Sequence, residues 1–150
     1  MSVVVPTYND RDRVLDLLRS LGAQDYPRDR AEILVVDDGS DQPLCLDAGR
    51  RDAPMPVSVL RHAENKGRAA ARNTGLESAR GDLVVFLDSD MTAAPALLAA
   101  HAHAHAGHSA RVAIGDIRFA PGGPATALAR YLDSRGVRRL SPGTPVPFKC

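Results

Sequence analysis

The stretch Ile33-Leu34-Val35-Val36-Asp37-Asp38-Gly39-Ser40-Asp41 passes from four apolar residues into a carboxylate-rich loop with no polar alternation. A short unbroken run of Val, Ile and Leu is how a strand buried on both faces of a parallel sheet reads. Three further runs repeat the pattern: Val3 to Val5, Val57 to Leu60 and Leu83 to Leu87. Helical stretches separate them. Val14, Leu17, Leu18 and Leu21 fall on one helical face, with Asn9 or Asp10 as cap and Gly22 as stop. A second helix is predicted from Gly67 to Ala79, where Ala69-Ala70-Ala71 allows close approach to the sheet. A third is predicted from Pro95 to Ala106, ahead of Gly107. Less regular patterns point to a helix between Gln42 and Arg51, a fifth strand over Val112 to Phe119 and a helix near Ala125 to Ser134. Strand and helix alternate, so the expected fold is α/β: a doubly wound, mostly parallel sheet with helices on both faces and right-handed crossovers.

The bulk properties agree with one such domain over residues 1–150. The chain is 44% hydrophobic and 25% charged with a formal net charge of +1, which excludes disordered and fibrous classes. A length of this order buries roughly 70% of the unfolded surface. A near-zero net charge gives no general attraction to nucleic acid or anionic lipid. Cys45 and Cys150 are too few for a disulfide scaffold or a cysteine-based zinc site, and Cys45 reads as a structural thiol. No apolar run approaches the roughly 20 residues of a membrane span, and no signal peptide is visible, so a soluble cytoplasmic chain is expected.

Ligands of open parallel sheets bind beyond the carboxyl ends of the strands. The loops there carry Pro6-Thr7-Tyr8-Asn9-Asp10, Asp37 to Asp41, Asn65-Lys66-Gly67-Arg68 and Asp88-Ser89-Asp90. In an extended chain Asp88 and Asp90 point to one side, so both carboxylates aim at one spot. Two such oxygens suit a hard divalent cation, Mg²⁺ or Mn²⁺, that leaves other positions for water and a diphosphate. Asp10-Arg11-Asp12 has the same spacing but reads as the capped first turn of a helix. Only Asp88-Ser89-Asp90 closes a buried strand. Arg68 and Arg72 lie one turn apart at a helix start, which makes an anion site; the plainer reading is a solvated face paired with Glu64 or Glu77. His101, His103, His105 and His108 crowd the third helix, and His101, His105 and His108 share a face. With no acidic or cysteine ligand nearby, that face reads as solvated rather than as a zinc site.

Taken in order, Val4-Val5-Pro6-Thr7-Tyr8-Asn9, Glu32 to Ser40, Asn65-Lys66-Gly67-Arg68-Ala69-Ala70-Ala71-Arg72-Asn73 and Gly81 to Asp90 resemble the motifs of a family 2 glycosyltransferase. The resemblance is strongest over residues 2 to 91. It implies a Rossmann-like GT-A fold that binds a nucleotide-diphosphate sugar, a UDP-sugar first among them, and transfers the sugar to an acceptor hydroxyl with inversion. It implies that Pro6 and Tyr8 line the base and that Asp37 accepts a hydrogen bond from it. Asn65, Arg68, Arg72 and Ser89 would complete the nucleotide-sugar site. Asp88 would hold the ribose or the metal, and Asp90 the metal that neutralises the departing diphosphate.

Family members continue through an acceptor-binding region with an Asp or Glu as general base, and that residue is expected beyond Cys150; Asp116 is the weaker substitute, with Asp133 the other late carboxylate. The alternative reading is therefore a non-catalytic nucleotide-sugar-binding module, or an inactive fragment of a longer transferase. A sheet cut short would expose apolar surface around Phe119 and Phe148, which favours a homodimer. A dinucleotide-binding enzyme is disfavoured by the absence of Gly-x-Gly-x-x-Gly after the first strand, and a P-loop motif is also absent.

Overall fold

The computed structural model describes residues 1–46, 55–107, 112–115 and 117. The chain divides into two compact units, Met1–Arg111 and Val112–Cys150. In the first unit the order is β1 (Ser2–Thr7), α1 (Arg11–Gly22), a 3₁₀ turn (Arg28–Arg30), β2 (Glu32–Asp37), β3 (Val57–Arg61), α2 (Arg68–Ser78), β4 (Val84–Phe86) and α3 (Leu97–His105). All four strands are parallel, in the order β3-β2-β1-β4.

Burial follows position in that sheet. Every residue of the central strands β1 and β2 is buried. The edge strands β3 and β4 are only half-buried, and Phe86 is 43% exposed. The expectation that all four runs are covered on both faces therefore holds for β1 and β2 alone. Local composition reports a strand's apolarity and cannot say which strand has a neighbour on each side.

Each face of the sheet has its own cover. Val3, Val5, Ile33, Val35 and Val85 join Val14, Leu17 and Leu21 of α1 and Leu98 of α3 in one core cluster. Fully burying each such side chain contributes roughly 1.5–3 kcal/mol. The alternate residues Val4 and Val36 meet α2, which seats so closely that a Cβ on Gly75 would lie 2.3 Å from Val4 Cγ1. Close approach is thus provided by Ala71 and Gly75, the buried residues of α2, while Ala69 is exposed. The periodic spacing of the two, four residues apart, matters more than the alanine run.

Other expectations are corrected. Gln42 to Leu46 form no helix, and the rest of that predicted helix lies outside the described residues. Residues 112–115 and 117 form no strand, and Val112, Ile114 and Ile117 are exposed. Strand propensity without a pairing partner and a face to bury does not make a strand. The helix expected near Ala125, Asp116, Asp133, and the apolar surface of Phe119 and Phe148 lie outside the described residues. Cys45 is exposed rather than buried. No helix among the described residues is long and apolar enough to cross a membrane.

Candidate functional site

β2 lies to one side of β1 and β4 to the other, so the chain reverses its direction of growth between β1 and β4. That switch point is where an open parallel sheet forms a crevice at its carboxyl edge. The pairing of β1 with β4 covers only Ser2 to Val4, and Leu87 N still donates to Val4 O at 3.1 Å. Beyond Val4, β1 runs on to Thr7 without a β4 partner. Pro6, which has no N–H to donate, sits in this stretch, opposite Val36 on the β2 side.

The chain then closes the open end with side chains. Asp10 occupies the N-cap position of α1 but makes no capping hydrogen bond. Its Oδ2 accepts from Ser89 Oγ at 2.7 Å, and its Oδ1 lies 3.7 Å from Arg13 Nε. The capping reading of Asp10 is therefore replaced by a bridge between the ends of β1 and β4. β4 ends at Phe86, two residues before Asp88, and Met91 N donates to Asp88 O at 3.2 Å. Asp88-Ser89-Asp90 thus lies at a turn, and the extended-chain argument for two carboxylates on one side fails. Each residue has its own environment: Arg72 Nη2 donates to Asp88 Oδ1 at 2.5 Å, with Arg68 Nη1 3.9 Å from Oδ2; Ser89 meets Asp10; and Asp90 is exposed. The plain alternative for Arg68 and Arg72, a partnership with Glu64 or Glu77, is not what the two guanidinium groups make; both turn to Asp88.

A second group forms where β2 and β3 end. Asp37 is wholly buried and accepts from Ser40 N (3.0 Å), Leu44 N (3.1 Å) and Arg61 Nη1 (2.5 Å). Burial raises its pKa, but the hydrogen bonds from Ser40, Leu44 and Arg61 outweigh burial and hold the carboxyl below its ordinary value. Asp38, also buried, accepts from His62 Nδ1 (2.6 Å), Lys66 N (2.9 Å) and Gly67 N (2.8 Å). Its pKa too is raised by desolvation and lowered further by Lys66, His62 and Gly67, with a net fall. Asn65 is exposed, and its Oδ1 accepts from Gly67 N at 3.1 Å. Tyr8 is 47% exposed just after β1. Asn9, at φ 52°, exchanges hydrogen bonds with Asp41, its Nδ2 donating to Oδ2 at 3.0 Å and Asp41 N donating back to its Oδ1 at 2.9 Å.

Of the residues singled out from sequence, Arg68, Arg72, Asp88 and Ser89 are brought into one cluster, while Asp37 sits in the second group. Asp10, Asp38, Arg61, His62 and Thr74 were missed. Asp10 and Asp38 had a signal, since both stand in loops after buried strands, Asp10 three residues beyond β1 and Asp38 next to Asp37. His62 had none beyond its place after β3. On α3, His101 and His105 are half-buried rather than solvated and their rings stack at 6.2 Å; among the described histidines of this stretch only His103 is exposed, and His108 lies outside the described residues. Among the described residues no three His, Cys, Asp or Glu side chains are grouped to hold a metal ion.

Comparison with known proteins gives this geometry a family. The profile described as Glycosyl transferase family 2 matches residues 2–146. The chain belongs to that family. It is 39% identical over 104 residues to the uncharacterized glycosyltransferase YfnE of Bacillus subtilis, covering 69% of this chain and 26% of YfnE. It is 32% identical over 133 residues to glycosyltransferase AglE of Haloferax volcanii, covering 87% of this chain and 43% of AglE. A crystal structure of Staphylococcus aureus TarS in complex with UDP-GlcNAc superimposes with a TM-score of 0.63 at 33% identity, over 69% of this chain and 30% of the TarS chain. The fold is accordingly GT-A, and the family member described here spans less than half the length of these relatives. A mannosyltransferase of Pyrobaculum calidifontis, in complex with GDP-Man and Mn²⁺, superimposes with a TM-score of 0.52 at 34% identity, over 59% of this chain and 27% of that one.

Proposed function

We propose that this chain binds a nucleotide-diphosphate sugar in the crevice between β1 and β4, as the donor-binding part of a glycosyltransferase that passes the sugar to an acceptor hydroxyl with inversion. The observation that carries the reading is the convergence of Asp10, Arg72, Asp88 and Ser89, from three elements, on the switch point of the sheet. Arg72 and Arg68 supply positive charge for the diphosphate at the start of α2. The exposed ring of Tyr8 faces the base, with the buried Pro6 behind it at the end of β1. Asn65 stands at the same edge, and Asp37 shapes the base end through the loop it holds. A UDP-sugar is the first candidate donor, in keeping with the UDP-GlcNAc bound by TarS.

The carboxylates suit a hard divalent cation unequally. Asp88 already has its charge met by Arg72, so it anchors the guanidinium that faces the phosphates. Asp90 is exposed, and among the described residues no guanidinium pairs with it as with Asp88; one carboxylate with diphosphate oxygens and water is a donor set that Mg²⁺ or Mn²⁺ accepts. When bound, the cation would neutralise charge developing on the leaving diphosphate. Asp90 would hold it, Ser89 and Asp10 would keep the turn in place, and Arg72 would orient the phosphates.

Thermal unfolding with UDP, GDP and dTDP, each with and without Mn²⁺, tests the reading. A nucleotide at about a hundred times its Kd adds roughly 2.7 kcal/mol, which raises the unfolding temperature by about 5–10 °C in a domain of this size. The expected result is a metal-dependent rise for one nucleotide, lost in Asp90→Ala. No rise with any nucleotide would count against donor binding by this chain.

A further inference from the structure

We propose that His62 is a positioning residue: by fixing the Asp38 carboxylate it sets the loop Asn65 to Gly67 and the first turn of α2, and so places Arg68 and Arg72 for the phosphates. The proposal rests on the donor-site reading for its consequence, but a separate set of contacts carries it.

Asp38 follows the end of β2, and its carboxylate meets the loop that leads into α2. Three donors meet it, His62 Nδ1, Lys66 N and Gly67 N, at 2.6, 2.9 and 2.8 Å. His62 is the one side chain among them, and it is held on all sides. Its backbone N donates to Asp37 O at 2.9 Å, and its Nε2 lies 2.9 Å from Thr74 Oγ1 in the second turn of α2. An ionised carboxylate only accepts, so Nδ1 donates to Asp38, while Nε2 shares a hydrogen bond with the Thr74 hydroxyl. One imidazole therefore joins the end of β2, the end of β3 and the body of α2.

The loops around it have no slack. A Cβ on Gly39 would lie 2.4 Å from Glu64 C and 2.6 Å from Asn65 N, so the two backbones are in direct contact. Gly67, at φ 90°, is the cap position of α2, and its N–H ends on Asp38. Arg68 follows at once and Arg72 stands one turn further, 2.5 Å from Asp88. The order hydroxyl, imidazole, carboxylate is that of nucleophile-activating triads. Here the carboxylate is taken up by two backbone amides as well as the ring, and Thr74 sits within a helix packed on the sheet, which is the arrangement of a strut.

The test compares His62→Leu, which keeps bulk and removes both ring hydrogen bonds, with His62→Asn, whose amide nitrogen restores a donor near the position of Nδ1. Val14→Ala, in the α1 core, controls for a general loss of stability. Amide hydrogen exchange at Lys66 and Gly67 is expected to speed by about tenfold or more in His62→Leu, as for a lost hydrogen bond to a charged group, and to return to within about threefold in His62→Asn. The Kd for UDP with Mn²⁺ is expected to rise about tenfold in His62→Leu and to recover in parallel. Val14→Ala is expected to lower the unfolding temperature and leave both readouts in place. Unchanged exchange at Lys66 and Gly67 in His62→Leu would overturn the proposal, as would an Asn variant as impaired as the Leu variant. Should the parent chain fail to bind UDP, the donor-site reading falls, and the exchange result still decides the role of His62.

Discussion

Ser89 Oγ donates to Asp10 Oδ2 at 2.7 Å, from the turn after β4 to the first residue before α1. The two strands concerned have already parted at Val4, so this bond, and not the sheet ladder, ties the two sides of the crevice. Asp10 gives up its cap to make it. Hydrogen bonds to charged groups contribute roughly 1.5–3 kcal/mol when desolvated, and this partly exposed one belongs near or below the lower figure. Ser89→Ala is expected to lower the unfolding temperature by about 2–4 °C. In a double-mutant cycle with Asp10→Ala the two losses are expected to be less than additive; fully additive losses would show that the pair is not coupled.

Arg72 is half-buried and meets Asp88 with one guanidinium nitrogen, leaving the rest of its fork for an anion. A lysine carries the charge but not the planar fork. Arg72→Lys is expected to weaken nucleotide binding about tenfold, with a change of only a few degrees in unfolding temperature. Equal binding by the two proteins would remove Arg72 from the phosphate site.

Gly39 is required twice over, by its φ of 75° and by the backbone of Glu64 and Asn65 against its Cα. Left-handed backbone alone is worth roughly 1–2 kcal/mol against alanine, and the contact must also open. Gly39→Ala is expected to lose at least about 2 kcal/mol in denaturant unfolding, at the upper end for a single substitution. A loss under half of that would mean the two loops can separate freely.

Stability is expected to fall with acid in two ranges. Asp37, Asp38 and Glu32 have folded-state pKa values below their ordinary ones, because hydrogen bonds outweigh burial. Their contribution is complete above the ordinary carboxylate range and is lost as pH falls through the depressed values, below about pH 4. His101 is also lowered, by burial and then by His105, so the folded state disfavours its protonation. That contribution is complete above 6.5 and is lost as pH falls below it. Unfolding temperatures from pH 3 to 8 check both, and His101→Gln is expected to remove only the fall beginning near 6.5.

The sheet was legible because β1 and β2 are buried on both faces, which leaves no polar residue inside the runs around Val3 and Ile33. The helix α1 was legible because one face alone meets the core. The edge strands were read as buried because composition is blind to strand order, and order is set by long-range pairing of β1 with residues about eighty positions away. At the site, the chemistry-bearing residues Arg68, Arg72, Asp88 and Asp90 stood out by type and place. Their pairing did not: Arg72 meets Asp88, 16 positions away, across the gap between α2 and the turn after β4. The links of Asp10 to Ser89 and of His62 to Asp38 join residues 79 and 24 positions apart, and no periodicity records them.

The proposed donor site places a nucleoside diphosphate at the β1/β4 crevice, with Asp90 and Arg72 in contact with its charge. Calorimetric titration of UDP with and without Mn²⁺ into the parent chain, Asp90→Ala and Arg72→Ala tests it most directly. Mn²⁺-dependent binding by the parent chain is expected, weakened by about tenfold or more in each variant while both stay folded. Binding of equal strength in all three proteins would contradict it, as would a parent chain that binds no nucleoside diphosphate at all.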